Sequence, residues 1–244
     1  MLKQLLMPVI TGKGPDFSRI KNEERGIGNY RLSLSLPGNV LTPNRPSDPE
    51  PSYLNLREDL FGQICRTEYN RTFARLCFQW WGYKGVFFQG AMGDLGRLSM
   101  YVDVNSVAKH TQVACDDLAS LEAYLKKDYW LYYEDKEGVN WKARERFKDD
   151  PFLGGETPPQ FLVGLPENYK KERINDLDWL AYSLTGEGIT GAHKSFYWAY
   201  PLDENFYLTV VFWADSDVGD KEIRLQRMLT DAKKIMSMVE LRKE

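Results

Sequence analysis

The sequence predicts an α+β fold: a mainly antiparallel β-sheet flanked by helices, with a C-terminal amphipathic helix packed on the sheet. Three observations carry this. Several runs alternate apolar and polar residues with period two, which is the spacing of a half-buried strand. The connections between successive runs are too short to hold crossover helices, so neighbouring strands run antiparallel. The last apolar stripe, Leu225, Met228, Leu229, Ala232, Ile235, Met236 and Val239, repeats at three- and four-residue steps, the spacing of one helix face.

The first clear strand is Tyr30 to Leu36, where Tyr30, Leu32, Leu34 and Leu36 alternate with Arg31, Ser33 and Ser35. Pro37 and Gly38 end it. Pro43, Pro46, Pro49 and Pro51 then exclude both a helix and a central strand, and mark a surface excursion. Ala74 to Trp80 and Gly85 to Gln89, joined around Gly82, read with Leu98 to Val104 as a meander. A helix is expected from about Ala114, with Leu118, Leu121, Leu125 and Tyr129 on one face. Asp116 and Asp117 favour its positive end, and Lys126 and Lys127 its negative end. The pattern weakens from Asp128 to Pro166, apart from a short helix over Lys142 to Lys148.

Two hairpins follow. Tyr169 to Ile174 and Leu177 to Leu184 flank Asn175-Asp176, a turn-forming pair. Ser195 to Tyr200 and Phe206 to Trp213 flank Asp203-Glu204-Asn205. Both faces of Phe206 to Trp213 are apolar, as in a strand covered on both sides. The closing helix is expected from about Val218, capped by Ser216 or Asp217.

Composition bounds the function. The chain has 244 residues, 43% of them hydrophobic and 27% charged, enough apolar material for one core. A formal net charge of −3 provides no general attraction for nucleic acid. Cys65, Cys77 and Cys115 form no CxxC pair, which argues against a disulfide framework or a zinc site. Cysteines used this sparsely suit a reducing, cytoplasmic setting. Met1 to Ile10 is not followed by a small-residue cleavage site, so no secretory signal is read, and no apolar run is long enough to span a membrane.

Catalytic signatures are weak. His110 and His193 read as solvated polar residues. Gly12 to Gly14 lacks P-loop spacing, Gly90 to Gly96 precedes a strand where a dinucleotide loop precedes a helix, and Ser183 to Gly186 is no nucleophile elbow. Asp176 and Asp178 flank a hairpin, and Glu134, Asp135 and Glu137 read as a solvated loop. No catalytic residue, metal ligand or cofactor is expected.

Aromatic content is high at 14%, and rings cluster among charges between Asp128 and Phe152. Such rings either close one end of the core or anchor a protein partner. The weak periodicity favours an interface, with Trp130, Tyr133, Trp141, Arg144 and Phe152 as partner-binding residues, some of the rings staying exposed. The expected function is therefore a non-enzymatic protein-binding module. The alternatives are an enzyme or small-molecule carrier with a Trp- and Tyr-lined pocket, and a subunit of a larger assembly, possible as a homo-oligomer.

The opening strand Gly28-Asn29-Tyr30-Arg31-Leu32-Ser33-Leu34-Ser35-Leu36-Pro37 resembles the PsbP-like fold. So do Phe206-Tyr207-Leu208-Thr209-Val210-Val211-Phe212-Trp213, its acidic turn, and the closing helix ending Met238-Val239-Glu240-Leu241. The resemblance covers about half the chain. It implies a central antiparallel sheet between helical layers and a binding function, including that of a bacterial type VI effector chaperone. A toxin-immunity protein is a further role open to a soluble binder. The chain is longer than such domains, which reads as one domain over 1–244 with inserts at about 41–71 and 128–166.

Overall fold

The computed structural model describes residues 11–39, 50–68, 71–85, 93–108, 111–187, 194–216 and 221–244. In chain order the elements are β1 (Asp16–Ile27), β2 (Tyr30–Gly38), β3 (Tyr53–Leu54), α1 (Glu58–Ile64), β4 (Arg66–Glu68), β5 (Arg71–Lys84), β6 (Asp94–Ser106), α2 (Leu118–Tyr133) and α3 (Val139–Phe147). A 3-10 turn (Pro159–Phe161) precedes β7 (Lys170–Ile174), β8 (Leu177–Leu184), β9 (Lys194–Pro201), β10 (Phe206–Ser216), α4 (Lys221–Met236) and β11 (Val239–Lys243). The α+β class holds. The strands form an antiparallel seven-stranded sheet, β4-β5-β6-β10-β9-β8-β7, and a four-stranded sheet, β11-β2-β1-β3.

Period-two alternation assigns the two faces of the large sheet. Leu208, Val210, Phe212, Met100, Val102, Phe196 and Trp198 point to a core shared with Leu32, Leu34 and Leu36 of β2 and with Met228, Ala232 and Ile235 of α4. Tyr207, Val211, Tyr197, Ala199, Leu180 and Tyr182 point the other way, against Leu121, Leu125 and Tyr129 of α2. The small sheet and α4 therefore cover one face, and α2 part of the other. β10 lies fourth of seven, between β6 and β9, and is apolar on both faces for that reason. Buried hydrogen bonds tie the layers: Trp81 Nε1 donates to the Pro37 carbonyl at 2.9 Å, and the Tyr83 hydroxyl to Asp231 Oδ2 at 2.8 Å.

Local chemistry explains the ends of elements. Asn175 and Asp176 both have positive φ, 48° and 64°, the two left-handed positions of the hairpin turn joining β7 and β8. Asn175 Nδ2 donates to the carbonyls of Ser237 and Val239, so this turn also holds β11. The Asp117 side chain accepts from the Ala119 N–H and caps α2. Cys77 is buried in β5, and burial pushes its thiol up to about 12, the behaviour of a small core hydrophobe.

Several expectations change. β5 runs unbroken through Gly82, which pairs with Arg97, so there is no join there. Val86 to Gln89 lie outside the described residues, as do 40–49 with their prolines, Gly90 to Met92, His110, His193 and Asp217. The Ser216 hydroxyl accepts from Arg224. α4 ends at Met236, and Val239 to Leu241 form an edge strand on β2 where a helix end was expected. β1 and the second sheet had no counterpart in the sequence reading. α2 begins at Leu118, four residues later than expected, and continues to Tyr133. An insert beginning at 128 would therefore start inside a helix.

Candidate functional site

α2 is seated by a layer of tyrosines. The hydroxyls of Tyr129 and Tyr182 lie 2.9 Å apart, and their rings meet edge to face. Tyr133 and Tyr197 each donate at 2.7 Å to the two oxygens of the buried Glu187 carboxylate. Burial pushes all four phenols well above the ordinary tyrosine range, so they stay protonated, and Tyr133 and Tyr197 donate to Glu187. Arg71 reaches over from β5. It donates to Asp128 at 2.7 Å, and its guanidinium stands 4.0 Å from the Tyr132 ring centroid and 4.8 Å from that of Tyr129. Burial alone would lower its pKa, but Asp128, together with the surrounding tyrosines, outweighs that and holds it above the ordinary arginine value.

This layer corrects one candidate. Tyr133 is only 6% exposed and spends its hydroxyl on Glu187, so it belongs to the core and not to a partner surface. Beyond α2, Tyr101 stacks on Phe78 with centroids 5.1 Å apart and meets Trp213 at a tilt, 4.9 Å away.

α3 and the chain after it are organised by Asn140, which is 1% exposed. Its Oδ1 accepts the Val163 N–H at 2.7 Å, while Nδ2 donates to the Val163 carbonyl at 2.8 Å and to Glu134 Oε1 at 2.6 Å. Arg144 donates to the other Glu134 oxygen at 2.8 Å. One side chain thus joins the end of α2, the start of α3 and the strand-like return at 163. The Arg144 hydrogen bond holds the Glu134 carboxyl below its ordinary value, with Asn140 helping and burial opposing. A depressed folded pKa adds stability above the unfolded value and loses it as pH falls through the folded one. Because Glu134 is partly exposed, solvent screening keeps the effect small. Following the Glu134 carboxyl by NMR, we expect Arg144→Ala to raise its pKa toward the ordinary value; an unchanged titration would show that the pair does not form.

From this support the chain presents apolar side chains to solvent. Phe152 is 95% exposed, Trp130 52% and Phe161 44%; Leu131 and Leu153 are exposed as well. Trp141 is half-buried. The Asp150 Oδ1 accepts the N–H groups of Phe152 and Leu153 at 2.8 and 3.1 Å, and Gly154 and Gly155 take φ of 60° and 83° to close the turn. Phe161 stacks on Phe147 of α3 at 5.1 Å. An open depression beside the turn is lined by Arg144, Lys148, Gly155, Glu156, Thr157 and Leu162, together with Glu145.

The expected partner residues therefore divide. Trp130 and Phe152 are exposed, Trp141 is partly so, Arg144 is an exposed tie to Glu134, and Tyr133 is internal. Leu131, Leu153 and Phe161 share the region and were missed; the turn residues Asp150 and Gly154-Gly155 were the available signal. Asp178, an acid–base candidate only in passing, pairs with Lys171 at 2.8 Å. Among the described residues no group of three or more His, Cys, Asp or Glu could hold a metal ion, and no helix is long and apolar enough to cross a membrane. No family model, curated protein or solved structure matches the chain.

Proposed function

We propose that the chain is a non-enzymatic protein-binding module that engages its partner through the aromatic end built by α2, α3 and the turn at 150–156. The carrying observation is Phe152. A phenyl ring 95% exposed costs solvation, yet here the backbone beneath it is ordered by Asp150 and two glycines. Ordering a solvated ring before association lowers the entropy cost of burying it against a partner. Exposed aromatic anchors among charges of both signs match the make-up of binding hot spots. Within this reading, the PsbP-like resemblance favours a cytoplasmic bacterial protein serving as an effector chaperone, and a toxin-immunity protein fits the same surface.

The test is a photo-crosslinking amino acid at position 130 in the source cells, with the same probe at Ser33 of the outer small sheet as control. A discrete adduct at 130 but not at 33 is expected. With the captured protein purified, Trp130→Ala should weaken binding by about 2 kcal/mol, roughly 30-fold. Trp141→Ala should weaken it too, with a thermal midpoint falling far less than for a core truncation. Adducts equal at both positions, or none at 130, would rule the surface out.

A further inference from the structure

We infer that the tyrosine layer beneath α2 is a one-electron site: a radical oxidant at a half-buried outer tyrosine draws an electron from Tyr197, whose phenolic proton passes to Glu187. This activity needs no protein partner. A phenol gives up an electron readily only if its proton leaves with it, because the cation radical left otherwise is a very strong acid. Such chemistry needs a base in hydrogen-bond contact, rings close enough to relay charge from the surface, and shelter from water. The base is in place: Tyr197 donates to Glu187 Oε2 and Tyr133 to Oε1, each at 2.7 Å. All three side chains are buried. The relay has two entries. From half-buried Tyr169, ring centroids step 4.9 Å to Tyr182 and 4.9 Å to Tyr197, the second pair stacked with 9° between planes. From half-buried Tyr132 they step 4.7 Å to Tyr133, 6.1 Å to Tyr129 and 6.3 Å to Tyr197.

Fixed charges decide where the radical rests. Removing an electron turns a ring positive, so a cation beside it opposes the loss. Arg71 stands 4.0, 4.8 and 5.8 Å from the ring centroids of Tyr132, Tyr129 and Tyr133, and Lys126 5.4 Å from that of Tyr169. Among the described residues no cation stands over the ring of Tyr182 or Tyr197. The Tyr182 hydroxyl meets that of Tyr129, which is no base for its proton. Tyr197 alone of these rings combines freedom from a cation with a carboxylate. Tyr83 and Tyr200 also donate to carboxylates, but Asp231 is already paired with Arg227, and Asp116 is half exposed beside Lys243. The step balances. One electron goes to the oxidant, a peroxyl radical becoming its hydroperoxide anion; the Tyr197 O–H bond breaks, and the proton bonds to Glu187 Oε2. A neutral tyrosyl radical and a neutral carboxylic acid remain. An electron returned by a small reductant such as ascorbate reverses both movements.

Flash photolysis of the full chain with ruthenium tris-bipyridine and persulfate supplies a one-electron oxidant, and transient absorbance with EPR of frozen samples follows the radical. The wild type is expected to give a tyrosyl signal that decays far more slowly than that of free tyrosine under the same flash. Tyr197→Phe should lose this slow signal, whereas Tyr133→Phe and Tyr200→Phe should keep it. Glu187→Gln retains a hydrogen-bond acceptor but no base, and should lose the signal while circular dichroism shows the native fold. Should Glu187→Gln fail to fold, the wild type carries the same test: radical formation should slow in D2O, because the proton moves with the electron. A signal that decays as fast as free tyrosine overturns the proposal. So does a slow signal that survives Tyr197→Phe or a folded Glu187→Gln, or a formation rate indifferent to D2O.

Discussion

Phe212→Ala should lower the stability of the protein by about 3–5 kcal/mol in denaturant unfolding, with the thermal midpoint falling by about 2–4 °C for each kcal/mol. Phe212 lies on β10, the fourth of seven strands, in register with Met100 of β6 and Phe196 of β9. It is fully buried and meets Trp198 at right angles, ring centroids 5.7 Å apart. The truncation leaves a void between the large sheet and the layer of α4 and β2. Collapse into it is restricted, because Trp81 and Tyr83 are hydrogen-bonded to β2 and α4 from the same side. Trp213→Ala, one residue on, removes a larger ring but a half-buried one on the opposite face, and should cost less. A loss for Phe212→Ala under about 1 kcal/mol would mean that this layer is not the packed core described above.

What could be read in advance follows from how strongly each element's surroundings constrain its sequence. β10 was legible because a central strand must be apolar on two faces, and no other arrangement of Phe206 to Trp213 buries both sets. The β7–β8 hairpin was legible because Asn175 and Asp176 tolerate the left-handed backbone that the turn demands. β1 was not. Half of its residues are charged and only Ile27 is buried, and it exists as a strand because the turn at Gly28 folds it back on β2, Ile27 opposite Tyr30. Gly82 reads as a turn because glycine usually punctuates; in β5 it lies within the strand, and the Asn39 side chain accepts its N–H at 3.2 Å. Val239 kept the helical apolar spacing because β11 buries against the same core as α4.

At the candidate site the same logic separates Tyr133 from Phe152. Residues 121, 125, 129 and 133 are spaced by four, so once Tyr129 is counted on the buried face, Tyr133 belongs there too. Ending the stripe at Tyr129 placed Tyr133 among the surface rings. Phe152 follows Asp150-Pro151 and precedes two glycines, outside any periodic element, and its exposure was therefore readable. Asn140 left no trace, because a single polar residue in a charged helix looks like a solvated one. Only the fold shows that Val163 returns to meet it.

Asn140→Ala should cost about 2–4 kcal/mol, a large effect for a polar residue on a short helix. The substitution strands the N–H and carbonyl of Val163, which is itself buried, and each orphaned group costs roughly 1–3 kcal/mol. Glu134 loses one donor but keeps Arg144, which limits the damage at that end. The Val163 amide should lose its protection from hydrogen exchange while amides of β10 keep theirs, since the break is local to α3 and its return. Asn140→Asp provides a control with nearly the same shape. Its Oδ1 still accepts from Val163, but at neutral pH the other oxygen faces the Val163 carbonyl and Glu134 with no proton to offer. Those neighbours disfavour the ionised form, so the folded pKa of the introduced carboxyl lies above its unfolded value. Stability should then recover as pH falls through that raised pKa, whereas Asn140→Ala should show no such recovery. The chain from 150 to 162 is held between α3 and Val163, so loosening that return should also blur the Phe152 turn. Unchanged Val163 protection, or a stability loss below about 1 kcal/mol, would show that the turn is ordered by its own Asp150 and glycines alone.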